Sequence, residues 1–358
     1  MSKEIPQRLA HGLLPGDWQE LCRDLDMPGY RADQIWKGLY QQRISSFQEL
    51  STLPADLRAH LDEAVQADPV RLTHVDGKPP GTRKLLLELE DADAVETVLI
   101  AAQGRRTVCL STQAGCKFGC VFCASGQAGF KRNLQAGEIV GQLVAAAREF
   151  GDTPTHVVFM GIGEPFDNYD ALLTSIRIMN DHDGLNIGAR RITISTVGVV
   201  PGIERLCTEN MQIELSVSLH ASNDEARSEI MPINRRYPID TLVRACAAYT
   251  EVSNRIVTFE YTLICGVNDS PECAEELTAR LGGFACRVNL IRLNPIDEYE
   301  GEACSEATVK MFIDLLHRRG INATYRDSRG RHVNAACGQL RLRAAQNSMH
   351  ALPEKMTT

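Results

Sequence analysis

From Thr107 onward, short apolar runs alternate with longer amphipathic segments, and this alternation restricts the fold more than any other feature of the chain. Strands are predicted at 107–111, 155–160, 191–196, 212–219, 256–264, 287–293 and 321–325. Between them, Ile139, Leu143, Ala146 and Phe150 recur at helical spacing and predict a helix over 136–150, stopped by Gly151. Val309, Phe312, Leu315 and Leu316 predict another over 306–319, with Ser305 as its N-cap and Gly320 as its stop. Ser222 and Glu225 have capping-box spacing at a further helix start. Strand–helix alternation implies a parallel sheet, and the number of units suits a full or partial (β/α) barrel.

Ahead of this core, segments 16–26, 30–41 and 54–66 carry apolar residues such as Trp18, Leu21, Ile35, Trp36 and Leu39 at helical spacing. Pro28-Gly29 and Leu53-Pro54 separate them as turns. Two apolar runs, Lys84 to Glu90 and Val95 to Ala101, read as bridging strands. The expected organisation is a small helical accessory domain with linker strands over 1–85, a core over 86–340 and a flexible tail over 341–358.

Chemistry in such sheets gathers at the carboxyl ends of the strands, and the unusual residues of this chain lie there. Cys116, Cys120 and Cys123 follow the strand at 107–111, and Met160-Gly-Ile-Gly163-Glu164-Pro165 follows the next. Ser195, Ser218, Leu219, His220 and Asn294 close three later strands. Clustered thiolates hold iron–sulfur clusters, and a four-iron cluster normally takes four of them, so three leave one iron open to a non-protein ligand. A structural zinc site would need a fourth ligand nearby, yet the next cysteine is Cys207 and the nearest histidine His156. Gly161-Ile-Gly163 lacks the third glycine of a dinucleotide loop and runs into Glu-Pro.

Twelve cysteines without an apolar leader point to a reducing compartment, the cytoplasm, and no apolar run approaches a membrane span. The net charge of −8 argues against binding nucleic acid with the whole surface. Arg318, Arg319, Arg326, Arg329, Arg331, Arg341 and Arg343 nevertheless stand against one acid, Asp327, a segment that is either a phosphate-binding surface or a solvated face.

The Cys-x3-Cys-x2-Cys spacing resembles the signature of the radical S-adenosylmethionine (SAM) superfamily. Within it the chain resembles the RlmN/Cfr group of RNA adenine methyltransferases, nearest its RlmN branch, from the N-terminal helices to about Leu340. The most specific marks are Ser111-Thr-Gln-Ala-Gly-Cys116, Met160 to Pro165, Met231-Pro-Ile-Asn234 and Ala335-Ala-Cys337-Gly-Gln-Leu340. The resemblance implies a radical SAM barrel in which Cys116, Cys120 and Cys123 hold a 4Fe–4S cluster whose open iron binds SAM. Gly163, Glu164, Ser195, Ser218, Leu219, His220 and Asn294 would contact SAM. It further implies that Cys337 carries a methyl group, activated by a second SAM, into a covalent thioether with the RNA, so that two SAM molecules serve each turnover. Glu96 would remove the ring proton, and Cys109 would release the product by forming a disulfide with Cys337. Implied partners are 23S rRNA, tRNA and an electron donor such as flavodoxin or ferredoxin, acting on a monomer. With RNA as substrate, the accessory domain over 1–85 would serve RNA recognition. The RlmN branch methylates carbon 2 of adenine; the alternative is the Cfr-type carbon-8 reaction. Asn289 to Pro295 and Arg235-Arg-Tyr-Pro238 resemble the carbon-8 enzymes, and Gly330-Arg-His-Val departs from both groups. A non-catalytic, metal-dependent RNA-binding module is the reading from a different class.

Overall fold

Three helices open the computed structural model, which describes residues 8–102, 104–327, 329–341 and 343–344. They are α1 (Pro15–Asp24), α2 (Tyr30–Lys37) and α3 (Ala55–Ala64). Pro15 starts α1 at a position where its missing N–H costs nothing. Trp18, Ile35, Trp36 and Leu61 are buried along one side of each helix, and they join the same apolar cluster as the core of the main sheet. The helices are also tied to that body by polar bonds: Trp36 Nε1 donates to Asp181 Oδ1 at 3.0 Å, and Arg148 donates to the carbonyls of Arg43 and Ile44.

The main sheet contains β1 (Arg71–Asp76), β2 (Arg83–Glu88), β3 (Asp93–Ala102), β4 (Arg105–Cys109), β5 (His156–Phe159), β6 (Ile192–Thr196), β7 (Glu214–Ser218), β8 (Val257–Leu263), β9 (Cys286–Arg292) and β10 (Asn322–Tyr325). Their order in the sheet is their order in the chain. β1 to β4 pair antiparallel; from β4 to β10 every neighbour is parallel. All seven strands predicted from Thr107 onward are present. Among the described residues the strand order is an open path, so the barrel is the partial form.

The connecting helices are α4 (Ala136–Phe150), α5 (Tyr169–Asn180), α6 (Val200–Leu206), α7 (Asp224–Ile230), α8 (Ile239–Ser253), α9 (Pro271–Leu281) and α10 (Glu306–Arg318). Gly151 ends α4 at φ 75°, and the Ser305 side chain accepts the Thr308 amide at the head of α10, both as predicted. The capping box at Ser222 is not formed. Asn223 caps α7 by accepting from Ala226 N at 3.0 Å, and Ser222 Oγ donates instead to Glu276 Oε2. The strand β1 was not expected; it lies at the sheet edge with most residues exposed, so it carries no apolar alternation to betray it. Arg343–Ala344 pair antiparallel with Ala94 and Asp93, which keeps the chain on the sheet where the tail was expected to begin. The rest of that tail lies outside the described residues. No helix among the described residues is long and apolar enough to cross a membrane.

Candidate active site

After β4 the chain enters a small hairpin, Gln113–Gly115 against Phe130–Asn133, which brackets the three cysteines. Cys116 N donates to Gly129 O at 2.9 Å and Gln127 Nε2 to Cys120 O at 3.0 Å, fixing both ends of the loop. The three thiols line one cavity together with Gly163, Glu164, Ser195, Ser218, His220, Asn294 and Cys337. Burial, followed by smaller effects that include the charge of Cys123, pushes the Cys116 thiol up to about 12. Cys120 and Cys123 are raised as well, again mainly by burial. Three thiolates sharing one wall need a cationic group among them. Among the described residues no three such side chains converge as a single-ion cage, and the donor set fits a larger, thiolate-ligated cluster.

Gly163 has φ +100°, and a side chain there would come within 2.8 Å of Gln113 N. Only glycine lets the β5 loop close against the cysteine hairpin. Gln113 then uses its Oε1 to accept from Glu164 N at 2.8 Å. The Glu164 carboxylate accepts from Phe166 N at 3.0 Å and Val197 N at 2.8 Å, and burial pushes its pKa up to about 7. His220 sits at φ 56°; its Nδ1 accepts from Thr262 N at 2.9 Å, which leaves Nε2 as the protonated nitrogen. Burial lowers its pKa to about 3, so the ring is neutral. Asn294 donates through Nδ2 to Cys337 O at 3.1 Å and accepts at Oδ1 from Arg331 Nε at 3.0 Å.

The segment 335–340 is docked on the cysteine loop. Ala124 N donates to Gly338 O at 2.8 Å, Ser125 Oγ to Leu340 O at 2.5 Å, and Gln339 Nε2 to Pro295 O at 3.0 Å. Gly338 has φ +85°, and a side chain there would meet Phe122 O at 2.9 Å. These contacts account physically for the Ala-Ala-Cys-Gly-Gln-Leu string. They leave Cys337 exposed at a wall shared by the first cavity and a larger lumen, of about 800 Å³, that also contains Cys109.

Two sequence expectations fall outside the cavity. The Leu219 side chain is buried in the core; only its backbone serves the region, accepting from Arg227 Nε at 3.0 Å. Glu96 lines neither cavity. Its carboxylate pairs with Lys84 Nζ at 3.0 Å and accepts from Arg341 N at 2.8 Å, tying the C-terminal segment to the sheet. The arginine-rich segment is also partly consumed internally: Arg331 holds Asn294, and Arg341 pairs with Asp297 and Glu298. All cysteines described, Cys109 and Cys337 included, are free thiols.

Arg227 was not singled out from the sequence. Fully buried, it donates to the carbonyls of Val197, Ser218 and Leu219 and to Asn234 Oδ1, bracing two strand ends at once. The Met231-Pro-Ile-Asn234 string was the available signal, because Asn234 is what orients this guanidinium.

A family model described as the radical SAM superfamily matches residues 110–277, and one described as the ribosomal RNA large subunit methyltransferase N-terminal domain matches residues 12–66. The chain is 46% identical over 342 residues to "Probable dual-specificity RNA methyltransferase RlmN" of Moorella thermoacetica, covering 92% of this chain and 96% of the relative. It is 44% identical over 320 residues to the protein of that name from Staphylococcus aureus, covering 88% of each. Among solved structures, that of a radical SAM methyltransferase from Sphaerobacter thermophilus superposes with a TM-score of 0.91 at 46% identity, over 94% of this chain and 99% of that one.

Proposed function

The chain belongs to the RlmN family of radical SAM RNA methyltransferases, and from that premise we propose that it methylates carbon 2 of an adenine in 23S rRNA and in tRNA through Cys337. The observation that carries this reading is the placement of Cys337, exposed where the three-cysteine cavity meets the lumen holding Cys109. An electron-poor ring carbon does not attack a methyl donor by simple displacement, so the methyl group must be activated on the enzyme. A 4Fe–4S cluster on Cys116, Cys120 and Cys123, together with SAM, supplies one-electron C–H activation when bound. Gly163 and Glu164 would receive the amino-acid end of SAM, and Ser195, Ser218, His220 and Asn294 line the remainder of its cavity. Leu219 takes part through its backbone.

Cys337 Sγ carries the methyl group and becomes the thioether link to the ring. Glu96 is assigned the ring proton; because its Oε2 holds Arg341 N, that role requires the 340–341 segment to shift. Burial and then the charge of Cys337 push the Cys109 thiol up to about 12, so alkylation of Cys337 removes one of the two influences that keep it protonated. Cys109 sulfur then attacks Cys337 sulfur. The S–S bond forms as the sulfur–carbon bond breaks, and the carbon keeps the electron pair and takes a proton to become the methyl group. Each turnover consumes two SAM molecules, and the reductant is a one-electron donor such as flavodoxin or ferredoxin. The proposed setting is a cytoplasmic monomer.

Anaerobically reconstituted protein, incubated with SAM, reductant and rRNA or tRNA, is expected to yield 2-methyladenosine by nucleoside mass spectrometry, and Cys337→Ala is expected to yield none. Methylation at carbon 8 alone, or methylation surviving Cys337→Ala, overturns the reading.

A further inference from the structure

The larger lumen reaches the end of the sheet opposite the one where such sheets usually bind their ligands. At the carboxyl ends of the strands, the 335–340 segment lies across the cysteine loop, held there by Ala124, Ser125, Asn294 and Gln339. At the opposite end the lumen is walled by residues at, or within two positions of, the starts of successive parallel strands: Arg105, His156, Arg191, Glu214, Arg255 and Arg287. One continuous cavity runs from this amino-end mouth to Met160, Cys109 and Cys337.

The mouth is strongly cationic on a chain whose net charge is −8. Of the lining arginines, Arg255 is taken up by Glu214, and Arg326 lies 3.9 Å from Glu260. Among the described residues, Arg105, Arg190, Arg191, Arg287 and Arg329 line the lumen without a carboxylate in ion-pair reach. They also crowd one another. Arg105 and Arg191 both help lower the pKa of His156, after burial, and Arg326 and Arg329 do the same to Arg105. A polyanion would relieve that repulsion.

A second observation, deeper in the lumen at the wall it shares with the first cavity, also points to a ligand. Glu260 is 5% exposed; its Oε1 accepts from Ser216 Oγ at 3.1 Å and Asn289 Nδ2 at 3.1 Å, but its Oε2 is buried with no hydrogen-bond partner. A buried carboxylate oxygen left unmatched costs free energy unless a donor arrives, and a nucleobase edge with its exocyclic amine is such a donor.

We propose that RNA docks its phosphates on the arginine rim at the amino ends of the strands and threads a splayed nucleotide up the lumen to Cys337. This rests on the RNA methyltransferase reading above. It separates the two reactants spatially, with SAM at the carboxyl-end cavity, RNA from the other mouth, and Cys337 between them.

The test is RNA binding by the full-length reconstituted protein, read as fluorescence anisotropy of a labelled tRNA between 50 and 200 mM salt, conditions chosen for counterion release. Arg191→Gln/Arg287→Gln removes two exposed rim charges; Arg244→Gln/Lys310→Gln removes two exposed charges elsewhere and serves as the charge-matched control. Each lost phosphate contact lowers the slope of log affinity against log salt by roughly 0.7–0.9. The rim variant is therefore expected to lose between one and two units of slope and about tenfold or more in affinity, while the control stays near wild type. A rim variant that binds as tightly and as salt-sensitively as wild type overturns the proposal, as does a control that loses just as much. If wild type methylates RNA in those cases, the reading of function stands and only the route falls. A wild-type protein that neither binds nor methylates RNA overturns both.

Discussion

Glu164 gives both carboxylate oxygens to backbone amides of two different strand-end loops, at a depth that pushes its pKa up to about 7. Such a group gains from a cationic partner, and the ammonium of SAM is that partner in the proposed site. Its affinity is then linked to pH with a definite sign. The free carboxyl is protonated below about 7, the bound form must be ionised, and SAM binding weakens as pH falls through 7. Glu164→Gln is expected to weaken SAM binding by about 10- to 100-fold, the worth of a charge-assisted hydrogen bond, and to flatten that pH dependence. Anaerobic equilibrium dialysis measures both; a variant that binds like wild type at pH 8 removes Glu164 from the site. The cysteines, Gly163 and Glu164 were legible in the sequence because their spacing is local. What the string did not show at Leu219 is that its side chain turns into the core, because a residue at a strand end has a backbone and a side chain facing different ways.

At the scale of elements, period and punctuation were enough wherever a segment buries one face. α4 runs over Ala136–Phe150 with Gly151 behind it, and α10 begins after Ser305, because amphipathic spacing, caps and stop residues act within a turn or two. Ser305→Ala removes an acceptor for the Thr308 amide, which lies 3.0 Å from Ser305 Oγ. The expected cost is about 1 kcal/mol of stability, read as a lowered denaturation midpoint with an unchanged m-value; no change would mean that the cap is dispensable. The failures have equally local causes. Ser222 had the spacing of a capping box, yet Glu276 from another helix claimed its hydroxyl and the cap passed to Asn223. β1 lacked any apolar rhythm because an edge strand has little to bury.

Over the whole molecule, acid sensitivity follows from histidines sealed inside. His11 is fully buried beside Tyr40, neither ring nitrogen has a partner, and burial lowers its pKa to about 3; His220 is lowered to the same region. The unfolded chain binds protons at these sites near pH 6.5 and the folded chain does not, so stability falls as pH drops below about 6.5. Glu164 and Glu260, whose pKa values are raised by burial, work in the opposite direction and offset part of the loss. His11→Phe isolates the histidine. Relative to wild type, its stability is expected to rise by up to about 1.4 kcal/mol for each pH unit below 6.5, measured by denaturant unfolding from pH 7.5 to 5; parallel curves would show that His11 takes a proton in place. By itself the sequence determined the strand–helix alternation, the three-thiol loop and the Ala335 to Leu340 string, since each is written in neighbouring residues. Only the tertiary structure decided that the barrel stays open, that Asn294 and Arg227 brace distant loops, that Arg331 and Arg341 are spent on internal bonds, and that unpaired arginines from separate strands meet at one mouth. Those facts depend on residues tens to hundreds of positions apart, which are brought together by sheet order and burial, and a linear pattern carries no record of that.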